Sequence, residues 1–80
     1  HLLLAQTTGS VRLEQLMTEA QGEMTDLIAH IAHPPAVLRS SNAQHAAIVA
    51  TIRDGDRGRA GALMAAHLHG TEHVLAGLLP

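Results

Sequence analysis

Three breakers punctuate this chain, Thr8-Gly9, Pro34-Pro35 and Asp54-Gly55-Asp56, and between them the apolar residues return every three or four positions. Leu13, Leu16, Met17, Ala20, Met24, Leu27, Ile28 and Ile31 describe one face of a helix running from about Val11 to His33, and Pro34-Pro35 stops it. A short apolar segment, His1 to about Thr7, precedes it; Gly9 can take the left-handed conformation that closes a helix, and Ser10 can cap the next. A third helix is expected to start near Val37 or Ser41 and reach Arg53, with Leu38, His45, Ile48, Val49 and Ile52 facing inward. Asp56 can cap a fourth, about Arg57 to Leu79, whose inner face is Ala60, Leu63, Met64, His67, Thr71, Val74 and Leu78. No alternation at period two is long enough for a strand. The expected class is all-α, an antiparallel bundle of about four helices joined by short loops.

Composition narrows the function. Eighty residues make one small domain. With no Cys there are no disulfides or thiolate metal sites, and with no Phe, Tyr or Trp there is no aromatic platform for stacking bases. All five basic residues are Arg, against seven acidic ones, so a basic nucleic-acid surface is not expected on this chain. Fourteen Ala and twelve Leu favour helix. No apolar stretch approaches the roughly 18 residues of a membrane span, and a cytoplasmic protein is expected. The first residue is His, which points to a processed chain or a fragment of a longer protein.

Seven His residues are the unusual feature. His45 and His67 lie on the inner faces of the last two helices, each eleven residues from Asp56 in the turn. In an antiparallel pair both are therefore about 16 Å along the axis from the hinge and arrive at one height. Two imidazoles meeting between helices begin a metal site. His1, which adjoins the apolar run Leu2-Leu3-Leu4-Ala5, is the candidate third ligand. Three imidazoles suit Zn, Ni or another borderline divalent ion, with positions left for water or a ligand. The competing reading makes the inner His residues hydrogen-bonded core groups. His30 and His33 fit the negative end of a helix dipole. His69 and His73 fall on a face turned away from that of His67 and are expected in solvent, as are Arg57 and Arg59. No HExxH, GxGxxG or GxxxxGK[ST] motif is present.

The ordered set of residues resembles a family. Gln44-His45-Ala46-Ala47-Ile48, Ala50-Thr51-Ile52 and Gly55-Asp56, followed by Ala60, Met64 and His67-Leu68, resembles the end of the FCD domain, the ligand-sensing half of FadR-type GntR transcription regulators. That family ends on EH-x-x-I-x-x-A-I-x-x-G-D and then A-x-x-x-M-x-x-H-L. His1-Leu2-Leu3-Leu4-Ala5 and Thr8-Gly9-Ser10 with Leu13 resemble its front pattern, F-H-x-x-L-A and S-G-N-x-x-L. Gln44 stands where Glu is common, and Ser10 where Asn is.

The resemblance implies a divalent metal held by three His and one Asp. It places His1, His45 and His67 on the His positions and the Asp four residues before His1, outside the chain. It implies that residues 1–80 are the C-terminal portion of the sensor domain, with the first FCD helices and the winged helix-turn-helix absent. It also implies a homodimeric parent that touches DNA only through that absent domain, and a small carboxylate effector drawn to the metal. Arg39, the nearest basic residue to His45, is the candidate anion contact. No catalysis is expected. The alternatives are a metal-dependent hydrolase, which lacks a general base on the inner faces, and a plain helical interaction domain with structural histidines.

Overall fold

The computed structural model describes residues 1–28 and 35–78, and every element in them is an α-helix: α1 (Leu2–Thr7), α2 (Val11–Ile28), α3 (Pro35–Arg53) and α4 (Arg57–Leu78). The expected all-α class with four helices holds. His30, Ile31, His33 and Leu79 lie outside the described residues. No described helix is long and apolar enough to cross a membrane. The chain divides into two compact units, His1–Ala32 and His33–Pro80.

In the first unit α1 ends as expected. Gly9 has φ +73°, and its N–H and that of Thr8 donate to the carbonyls of Gln6 (3.3 Å) and Ala5 (3.2 Å). Ser10 then caps α2, its Oγ accepting from Leu13 N–H at 3.2 Å. This satisfies one of the amide groups left without a partner at a helix start. Ala5 is buried, but no described residue of α2 is. Met17 and Met24 are half-buried, whereas Leu13, Leu16, Leu27 and Ile28 are exposed. The apolar face read from the sequence exists, and most of it is uncovered.

The second unit is a helical hairpin. Its turn shows why Asp54-Gly55-Asp56 works. Gly55 N–H donates to Ile52 O (3.0 Å) and Asp56 N–H to Thr51 O (3.2 Å), the paired bonds of a Schellman ending, with Gly55 at φ +73°. Asp56 then turns from ending α3 to starting α4, its Oδ1 accepting from Arg59 N–H at 3.0 Å. A Cβ on Gly55 would meet nothing within 4 Å, so only the backbone conformation resists a side chain there. Gly55→Ala is accordingly expected to cost about 1–2 kcal/mol, read as a lower urea midpoint at unchanged slope.

On the α4 face Ala60, Leu63, Met64, Thr71 and Val74 are half-buried around the buried His67, as expected, while the Leu78 side chain lies outside what is described. The α3 face needs a correction. Its inner residues are Val37, Ser41, His45, Ile48 and Thr51, while Leu38, Val49 and Ile52 are 51 %, 41 % and 46 % exposed. The helix is rotated by about 70° from the face its largest apolar residues suggest. Small Ser41 and Thr51 opposite an α4 face that includes Ala60 and Gly70 suit close approach of the two helices. Thr51 can be buried because its hydroxyl donates to Ala47 O at 2.7 Å. α3 also starts earlier than expected, at Pro35, where a missing N–H costs nothing in a first turn.

Candidate metal centre

His45 and His67 meet inside the hairpin. Their Nε2 atoms are 2.9 Å apart, and the rings pack edge to face with centroids at 4.5 Å and an interplanar angle of 74°. The turn at Asp56 therefore sets the register that the equal spacing predicts. His67 is 3 % exposed and His45 half-buried, with Ile48 one turn nearer the hinge at 2 %. Second among these contacts, Nδ1 of His67 lies 2.7 Å from Oε1 of Gln44. That partner was not expected from the sequence, where Gln44 stood out only as a departure from Glu. The signal available was its place next to His45, which sets it beside the same opposing ring.

Burial holds the pKa of His67 below its ordinary value, and the neighbouring His45 adds to the shift because two imidazolium ions cannot share the space. His67 is thus neutral at pH 7, the state a metal requires. Two nitrogens bound to one tetrahedral ion, each about 2.0–2.1 Å from it, stand about 3.3 Å apart. The observed pair is a few tenths of an ångström closer, a separation that small ring movements span. Imidazole nitrogens suit Zn or Ni better than Mg or Ca, which prefer oxygen. The donor chemistry fits a borderline divalent ion.

His1 stands at the start of α1 in the first unit, half-buried, its carbonyl accepting from Ala5 N–H at 3.1 Å. His69 and His73 are exposed, as expected, and so is Arg39. The carboxylates of Asp54, Asp56 and Glu72 are exposed as well, so α3 and α4 bring no described acid to the paired rings.

Comparison with known families decides the relationship. The FCD domain matches residues 1–70. This chain belongs to the FCD domain family. No curated protein and no solved structure matches it. The matched residues take in the turn at Gly55-Asp56 and both His45 and His67.

Proposed function

We propose that this FCD domain is the C-terminal portion of the effector-sensing domain of a GntR-type transcription regulator. In this reading it binds a divalent metal, Zn or Ni, through His45, His67 and His1, and a small carboxylate on that metal. The observation that carries the reading is the His45–His67 pair, two ring nitrogens 2.9 Å apart on the inner faces of α3 and α4. His1 joins them through its place in the family pattern. The fourth ligand, an Asp, belongs to sequence before His1.

A cation where water is largely excluded attracts an anion more strongly than it does in solution. A carboxylate bound there can bias one arrangement of a homodimer over another, and so the spacing of two winged helix-turn-helix heads outside these residues. In this reading the protein acts in the cytoplasm and senses its effector without turning it over.

Calorimetric titration with citrate and other small carboxylates, with and without metal, tests the reading. Binding that needs the metal is expected. Equal affinity in the presence of a chelator contradicts it. Arg39 supplies only long-range attraction, since it stands six residues and about 120° round α3 from His45. Arg39→Ala is expected to weaken the carboxylate by less than about threefold, in line with an exposed charge.

A further inference from the structure

Gln44 is exposed, yet its side-chain oxygen reaches across the hairpin to Nδ1 of buried His67, at 2.7 Å. A carbonyl oxygen only accepts, so the proton of this bond belongs to Nδ1. A neutral imidazole has one N–H. Nε2 of His67 therefore carries a lone pair, and it faces Nε2 of His45 at 2.9 Å. Nε2 of His45 stands within hydrogen-bond distance of that lone pair.

We propose that Gln44 is a positioning residue: it locks His67 in the Nδ1–H tautomer, so that Nε2 is presented as a ready ligand for a divalent ion. The last clause rests on the metal reading above; the tautomer lock does not. Side-chain imidazoles in water favour the opposite, Nε2–H form, so the lock needs an acceptor at Nδ1, and Gln44 Oε1 stands there at 2.7 Å. A neutral amide fixes the tautomer without adding charge. A carboxylate at the same position would fix it too, and would also make the ring a stronger donor.

The test uses the full chain and three forms of it: wild type, Gln44→Leu and Gln44→Glu. Because Gln44 is exposed, leucine leaves no cavity, and circular dichroism checks that the helices persist. Long-range proton–nitrogen spectra of the metal-free protein at about pH 8, where imidazoles are neutral, read the His67 tautomer. Wild type and Gln44→Glu are expected to show Nδ1–H, and Gln44→Leu a shift toward Nε2–H. Competition with a chromogenic chelator is expected to show Zn2+ held about 10–100-fold more weakly by Gln44→Leu, and more tightly by Gln44→Glu. If Gln44→Leu keeps the wild-type tautomer, the lock is overturned whatever the metal does. If the tautomer shifts and Zn2+ affinity does not, the link from Gln44 to the metal is overturned. If the tautomer shifts and wild type binds no Zn2+, the lock stands and the metal reading fails instead.

Discussion

Replacing His67 with alanine is expected to weaken Zn2+ or Ni2+ binding by more than about 100-fold, because loss of a mere outer partner of a ligand already costs about 10–100-fold. The same holds for His45→Ala. The argument is geometric. Each ring supplies one of two nitrogens 2.9 Å apart, and removing either leaves a single imidazole on that side of the ion. The two variants differ in their side effects. His67 is buried, so its alanine form also opens a small void; His45 is half-buried and its removal disturbs the hairpin less. The pair of variants therefore separates ligand loss from damage to the fold. His1→Ala is expected to weaken the metal by at least about 10-fold while leaving the helical content intact. Isothermal titration beside circular dichroism measures both quantities. Wild-type affinity in both His45→Ala and His67→Ala would remove the metal site.

The second large effect is thermal. Zn2+ at about a hundred times its Kd is expected to add about 2.7 kcal/mol to stability, since it binds the folded chain alone. For a domain of this size that is about 10–20 °C in Tm. Acid reverses the gain. The pKa of His67 is lowered in the folded protein by burial and by His45, so between that value and the unfolded value of about 6.5 the unfolded chain binds the extra proton. Stability from this group is present above about pH 6.5 and falls as the pH drops toward the folded pKa. Metal affinity falls further once the folded ring itself protonates, because a proton and a metal compete for one lone pair. Scanning calorimetry at pH values of about 5 to 8, with metal and with chelator, reads both trends. A Tm indifferent to metal throughout would favour purely structural histidines.

The sequence made much of this legible because the deciding residues sit at turns and periodic positions. Gly9 and Gly55 are the positive-φ residues of the described chain, and both were marked as turn glycines by the apolar runs they interrupt. The His45–His67 register followed from equal distances to Asp56. The rotation of α3 was not legible. Counting large apolar residues selects Leu38, Val49 and Ile52, but packing favoured Ser41 and Thr51, whose small size and satisfied hydroxyl allow close helices. The α2 face was readable as apolar, but its exposure was not, since periodicity reports which residues share a face and not whether another element packs on it. Gln44 was visible only as a deviation. Its role depends on a side chain spanning the hairpin, which no periodicity reports.

X-ray absorption of the Zn2+-loaded protein tests the central claim most directly, because it counts the ligands of the ion itself. The expected result is nitrogen at about 2.0–2.1 Å with the outer scattering of at least two imidazoles, reduced by one in His45→Ala and by one in His67→Ala. A spectrum with oxygen ligands alone, or one that neither substitution changes, would contradict it.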